Sequence, residues 1–237
     1  MKKFISLSKH PGSNGSYYYN NFFKIYNIDA TYSSIGTDNL KKELTNQIKN
    51  KISGISISMP FKQEIISYLD VFDKTVEKYN SCNTLVIDGS NVSGYNTDYF
   101  GAAHILSKIP KGSSISILGA GSMGMMIYEM LDQSAELYSI RLGNWSSRYA
   151  MNDVIINCTN QGTSTIQSPL EYIPNNVSMI IDLTINDCEL MLQSHKRGIN
   201  YISGHEFYKF QFLKQFEIYT GVIPNTDIYD MLRGERK

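Results

Sequence analysis

Short runs in which apolar side chains alternate or cluster are separated by longer stretches in which they recur at helical spacing, and this switching of period is the main signal in the chain. Lys3 to Leu7 reads as a first strand. Gly12-Ser13-Asn14-Gly15-Ser16 is a turn cluster that opens a helix through Tyr17 to Tyr26, ended by Asn27. Ala30 to Ile35 is a second strand. Thr37 or Asp38 caps the next helix, where Leu40, Leu44 and Ile48 repeat on one face with lysines and asparagines on the other. Gly54 to Met59 alternates toward Pro60, which ends the strand because it lacks an amide hydrogen and restricts the residue before it. Phe61 to Leu69 is expected to be helical, and Asp73 to Ser81 a loop. Asn83 to Ile87, the turn Asp88-Gly89-Ser90 and Asn91 to Asn96 read as a hairpin. A helix from Thr97 to Ser107 then leads to a hinge at Pro110-Lys111-Gly112.

The second half follows the same alternation. Ser114 to Leu118 is a short apolar strand, followed directly by Gly119-Ala120-Gly121-Ser122-Met123-Gly124 and a helix from Met125 to Leu131. Leu137 to Leu142, Val154 to Asn157, Ile180 to Leu183 and Tyr201-Ile202 are further strands; Cys188 to Arg197, Gly204 to Tyr219 and Thr226 to Leu232 are further helices. Alternating strands and helices predict an α/β fold with mostly parallel sheets.

Composition narrows the function classes. A chain of 237 residues suffices for one large or two small domains. Its acidic and basic residues cancel to a formal net charge of zero, so nothing favours nucleic acid or an anionic membrane, and a small molecule is the expected partner. No apolar run approaches the ~20 residues of a membrane span, and Lys2 to Ser8 is too interrupted for a signal peptide, so a cytoplasmic location is expected. The three cysteines, Cys82, Cys158 and Cys188, lack disulfide or zinc spacing and read as buried free thiols; the four histidines form no ligand pair, and no metal is expected.

Two kinds of chemistry stand out. Ser58-Met59-Pro60-Phe61-Lys62 and Gly94-Tyr95-Asn96-Thr97-Asp98 each end a strand on a charged residue beside a helix, which would bring Lys62 and Asp98 into one cleft. A lysine and a carboxylate in contact can relay a proton while holding an alcohol or ketone; a plain salt bridge fits the same two residues. The glycine stretch is G-x-G-x-x-G between a strand and a helix, the context in which it binds a dinucleotide pyrophosphate. No Asp or Glu stands about 20 residues further on, where a free ribose would be met. Arg148 could meet a 2′-phosphate instead, or simply lie exposed in a polar loop. Val154 follows so soon that a complete crossover helix and strand do not fit, which predicts an abridged Rossmann-type domain.

Taken together these stretches resemble the shikimate dehydrogenase family over nearly the whole chain. Ser56 to Lys62 is similar to the family's N-V-T-x-P-F-K, Ser81 to Thr84 to A-x-N-T, Gly94 to Gly101 to G-x-N-T-D-x-x-G, and Ile156 to Gly162 to I-N-A-T-x-x-G. Gly204, Gln211, Phe216 and Thr220-Gly221 keep the spacing of the C-terminal pattern. The resemblance implies an N-terminal mostly parallel α/β substrate domain, 1–100, completed by the C-terminal helices of about 204–237, and a dinucleotide-binding domain at 101–203. It implies an NADP-dependent oxidoreductase of the chorismate pathway, with NAD possible, that reduces 3-dehydroshikimate or a related cyclic polyol acid, as a monomer or homodimer. Lys62 and Asp98 would be catalytic; Ser58, Asn83 and Gln211 would bind ring hydroxyls and Ser13 the carboxylate. Gly119, Ala120, Gly121, Ser122, Met123, Asn144, Arg148 and Gly204 would bind the cofactor. Asn20 and Phe23 are in register too, but helix capping and core packing account for them.

The departures are as specific as the matches. Gly15 stands at the second serine of the family's S-x-S pair, although a one-residue slip could present Ser16. Asn144-Trp145-Ser146 stands at N-R-T, and Ile185 replaces a tyrosine. An alternative consistent with these changes is a binding protein that keeps the polyol pocket and has lost productive cofactor binding.

Overall fold

The computed structural model describes residues 1–149, 152–159, 168–185 and 188–235, and the chain divides into two compact units, Met1–Asp98 with Gln211–Lys237, and Tyr99–Phe210. The first unit begins with β1 (Lys2–Ser8), α1 (Asn14–Ile25), β2 (Ala30–Gly36), α2 (Leu40–Lys49) and β3 (Gly54–Ile57). β4 (Val71–Phe72), α3 (Lys74–Tyr79), β5 (Thr84–Asp88) and β6 (Asn91–Tyr95) follow. The six strands form one sheet in the order β2-β1-β3-β5-β6-β4. β1 runs parallel to β2 and β3, whereas β5 is antiparallel to both β3 and β6. β6 therefore points the same way as β3, and the ends of β1, β3 and β6 share one edge with the start of β5. The apolar stripe of α2 meets the sheet: Leu40 and Leu44 are buried with Leu7, Ile55, Ile57 and Leu85, and Ile48 packs against them.

Three local expectations change. Asn39, rather than Thr37 or Asp38, caps α2 by accepting from the Lys42 amide at 2.9 Å. The helix expected over Phe61 to Leu69 is a short 3-10 turn, Glu64–Tyr68. It stops because Asp70 is taken by the sheet: its amide donates to Val92 O at 2.9 Å and its carboxylate accepts from the Val92 amide at 2.7 Å, which draws the next residues into β4. The loop expected from Asp73 contains α3, whose first turn is capped by the Asp73 carboxylate accepting from the Thr75 and Val76 amides at 3.0 Å each.

The second unit carries α4 (Asp98–Leu106) from its second residue on, then β7 (Ile115–Leu118), α5 (Ser122–Met130), β8 (Glu136–Tyr138), β9 (Val154–Asn157), β10 (Met179–Asp182), α6 (Glu189–Lys196) and β11 (Asn200–Ser203). These strands form a wholly parallel sheet in the order β11-β10-β9-β7-β8. The chain passes from β8 to the far side of β7, and among the described residues only a 3-10 turn, Trp145–Ser147, lies between. This is a Rossmann-like sheet without its usual second crossover helix and outer strand. β8 is shorter than expected because the Asn144 side chain folds the following segment back, donating to Leu137 O at 2.9 Å and accepting from the Ser139 amide at 3.0 Å. Ile140 and Leu142 are left exposed.

The fully buried Asp182 ties the ends of this sheet together. It accepts from Asn157 Nδ2 at 2.9 Å, the Thr184 amide at 3.0 Å, Tyr201 OH at 3.0 Å and Cys188 Sγ at 3.2 Å. Burial, with Asp182 beside them, raises the pKa of the Cys158 and Cys188 thiols, so both stay protonated. All three cysteines are free; Cys82 and Cys188 are buried and Cys158 is half-buried.

The chain returns to the first unit within α7 (Gly204–Thr220), which crosses from one unit to the other between Phe210 and Gln211, and ends in α8 (Thr226–Glu235). An aromatic layer receives it. Tyr18, Tyr19, Phe22 and Phe23 line the buried face of α1; Phe22 meets Phe212 edge-on at 4.9 Å, and Tyr18 stacks on Tyr229 at 4.5 Å. Each such side chain contributes on the order of 1.5–3 kcal/mol by leaving water. Phe23 is core, as its periodicity suggests, and Asn20 pins β2 to α1 through bonds of 2.9 Å to both the carbonyl and the amide of Tyr32. Among the described residues no helix is long and apolar enough to cross a membrane.

Candidate active site

The shared edge of the first sheet gathers the residues that follow β3, precede β5 and follow β6. Lys62 Nζ donates to Asp98 Oδ2 at 2.6 Å, with 22% of the lysine and 7% of the aspartate side chain exposed. The other carboxylate oxygen, Oδ1, accepts from Asn83 Nδ2 at 2.9 Å. Asn83 cannot flip without loss, because its Oδ1 accepts from the Thr97 amide and from Thr84 Oγ1, both at 2.8 Å. Gln211, from α7, donates to Thr97 Oγ1 at 3.0 Å. Lys62, Asp98, Asn83 and Gln211 thus belong to one bonded constellation, in which only the lysine reaches appreciably toward solvent. The arrangement holds an N–H donor and a carboxylate together at the place where a carbonyl or hydroxyl oxygen could be gripped, the geometry that general acid–base work requires.

The expected carboxylate and hydroxyl contacts lie nearby in the fold but outside that network. Ser13 is the exposed residue before α1, and its hydroxyl makes no capping bond. Ser58 is exposed just beyond β3, its amide donating to Leu7 O at 3.0 Å. Since β1 and β3 are parallel neighbours, both serines follow strand ends on the edge that carries Lys62. The glycine at 15 has a steric cause: a Cβ there would sit 3.0 Å from the Tyr32 ring. Ser16 is already bonded to Ser34 at 3.1 Å.

Sequence reading overlooked the layer beneath. Gln215 and Tyr219 follow Gln211 at intervals of one helical turn on α7, a spacing that could have flagged them, and they meet Ser56, Tyr32 and Tyr19 in a buried cluster of hydroxyls and one amide. Burial raises the Tyr32 pKa to about 12, and Tyr219 is pushed up by the same cause, so both remain hydroxyl donors.

In the second unit the glycine turn fits a dinucleotide. Gly119 has φ +102°, which favours glycine, and its amide donates to Tyr138 O at 2.7 Å. Gly124 lets α5 approach so closely that a Cβ would lie 1.8 Å from Gly119 O. Gly121 and Ser122 are exposed at the start of α5, with open space where a Gly121 Cβ would be; Ala120 and Met123 are half-buried beside them. Backbone amides at a helix N-terminus with no side chain in front suit a pyrophosphate.

The ribose side departs from expectation. Asn144 is occupied in the backbone turn described above. The Arg148 guanidinium donates to Pro169 O and Trp145 O at 2.9 Å each and to Tyr149 OH at 3.1 Å, lying over the Trp145 and Tyr149 rings. Arg148 is therefore not a loose loop arginine: three of its five N–H groups are committed, and its guanidinium covers the Trp145 ring. Arg141, three residues beyond the β8 end at Tyr138, is exposed. Gly204 is buried by close backbone approach: a Cβ would come within 2.5 Å of Leu183 O and Thr184 O. Of the I-N-A-T-x-x-G match, Asn160, Gln161 and Gly162 lie outside the described residues.

A family model, the shikimate dehydrogenase substrate binding domain, matches residues 9–85. The chain is 26% identical to shikimate dehydrogenase (NADP(+)) of Pyrococcus abyssi over 242 residues, covering 92% of this chain and 91% of that one. It is 28% identical to that of Leptospira interrogans over 247 residues, covering 88% and 85%. The likeness to shikimate dehydrogenases thus extends over nearly the whole chain. The same fold is seen in shikimate dehydrogenase from Aquifex aeolicus, with TM-score 0.84, 21% identity and 98% and 97% of the two chains covered. The Thermus thermophilus enzyme, solved with NADP(H) and shikimate, superposes with TM-score 0.83 at 18% identity over 99% of each chain. Against the family motifs named above, this chain keeps the lysine–aspartate pair and the glycine turn and departs at positions 15, 145 and 185.

Proposed function

We propose that this protein is a shikimate dehydrogenase that interconverts shikimate and 3-dehydroshikimate with NADP, in the route to chorismate and the aromatic amino acids. The observation that carries the reading is the Lys62–Asp98 contact, oriented by Asn83, in a unit that matches a substrate-binding family model. Lys62 grips the substrate's C3 oxygen and polarises it, and Asp98 shares the proton that this oxygen gains or loses. Asn83, Gln211 and Ser58 hold ring hydroxyls, and Ser13 helps hold the carboxylate. When bound, the nicotinamide supplies or accepts the hydride. The backbone from Gly119 through Met123 cradles the pyrophosphate. The test is oxidation of shikimate with NADP+, followed by nicotinamide absorbance; no turnover of shikimate or quinate with NADP+ or NAD+ overturns the reading. Cytoplasmic residence, as a monomer or homodimer, belongs to the same proposal.

For the 2′-phosphate, Arg141 replaces Arg148 in this reading. It is exposed just past β8, where a phosphate-binding arginine is needed, whereas three of the five N–H groups of Arg148 are committed within the fold. One exposed charge-assisted hydrogen bond is worth about 1–2 kcal/mol, so Arg141→Ala is expected to raise KM for NADP roughly tenfold and leave KM for NAD unchanged. Arg148→Ala should preserve the NADP/NAD ratio. Steady-state kinetics with both cofactors decides, and loss of the preference in Arg148→Ala alone would return the contact to that residue.

A further inference from the structure

We propose that Gln215 is a positioning residue, which sets the orientation of Asn83 and through it of Asp98; the inference rests on the catalytic reading of Lys62 and Asp98. Gln215 is buried on α7, and each polar atom of its amide has partners of one kind only. Its Oε1 accepts from Tyr19 OH at 2.7 Å and from Ser56 Oγ at 3.0 Å. Its Nε2 donates to Asn83 O at 3.1 Å and to Thr84 Oγ1. The Ser56 hydroxyl in turn accepts from Tyr32 OH at 2.8 Å, donates to Gln215 and also meets Tyr219 OH at 3.0 Å.

Asn83 O can only accept, and it fixes the sense of the Gln215 amide. Because Thr84 Oγ1 accepts from Gln215, its hydrogen is free to point at Asn83 Oδ1, 2.8 Å away. That bond, with the Thr97 amide on the same oxygen, turns Asn83 Nδ2 toward Asp98 Oδ1. Asp98 is left with Oδ2 for Lys62. Rotating the Gln215 amide by half a turn would set acceptor against acceptor at Asn83 O and force the hydroxyls around it to turn, so the buried amide has one preferred orientation. Gln215 touches neither Lys62 nor Asp98 in this network and acts on them through Asn83 and Thr84.

A double-mutant cycle with Asp98 tests this. Gln215→Leu is expected to lower kcat on the order of 10- to 100-fold, the scale of a small misplacement of a reacting group, with KM for the dinucleotide unchanged. In an Asp98→Asn background the same substitution should lower kcat no further. Gln215→Glu, which keeps the shape and the acceptor oxygen but lacks the N–H donors, should reproduce the loss and decides the cycle if Gln215→Leu does not fold. Unchanged kcat in Gln215→Glu, or an equal further fall in the Asp98→Asn background, overturns the positioning role. Wild-type kcat in Asp98→Asn alone instead overturns the catalytic reading beneath it.

Discussion

Replacement of Lys62 by alanine is expected to lower kcat by about 10²- to 10⁴-fold, the range supplied by a positioned general acid or base. The variant keeps Asp98 and its bond from Asn83, so the proposed hydroxyl-binding side of the site survives, and KM for shikimate should change far less than kcat. Thermal unfolding of the same preparation separates a chemical loss from a folding defect. A variant that loses only KM would reduce Lys62 to a binding contact and leave the proton relay without its donor.

The second large effect is expected at Gly124. A Cβ there would lie 1.8 Å from Gly119 O and 3.0 Å from Gly119 C, both backbone atoms that cannot swing aside as a side chain could. Gly124→Ala must therefore push α5 away from the turn, destabilising the second unit by roughly 3 kcal/mol or more, on the order of 10 °C in Tm. It should also spread the cradle of amides and abolish measurable nucleotide binding. Gly121→Ala is the informative partner: φ is −79° and nothing lies within 4 Å of the new methyl. That variant should unfold within a degree or two of wild type yet bind nucleotide more weakly, because the methyl stands where the phosphate approaches. Calorimetry and nucleotide titration on the two variants measure both effects; equal Tm losses would contradict the close-packing account.

What could be read from the sequence was what local pattern encodes. Lys62 and Asp98 could be paired because each follows a strand, and parallel β3 and β6 bring such positions to one edge. The glycine turn and the missing crossover could be read because spacing alone carries them. Arg148 could not be placed, since one of its acceptors, Pro169 O, is 21 residues away and carries no side-chain signature. The helix expected at Phe61 to Leu69 failed for a similar reason: Asp70 is captured by Val92, a partner that exists only once the sheet has formed. Gln215 escaped notice because a glutamine on a helix says nothing about which buried hydroxyls will meet it.

The late return of the chain to its first unit has a temporal consequence. Residues 99–210 are contiguous and can collapse as soon as they leave the ribosome, but the aromatic face of α1 stays uncovered until Phe212, Phe216 and Tyr229 have been synthesised. The candidate-site constellation waits equally long, because Gln211 and Gln215 are C-terminal to everything else that they bind. The segment made first is thus the segment finished last, and during synthesis it presents wet tyrosines and phenylalanines that invite chaperones or self-association. A fragment ending at Asp98 is expected to bind a hydrophobic dye and aggregate, and to lose both properties when a peptide spanning 211–235 is added.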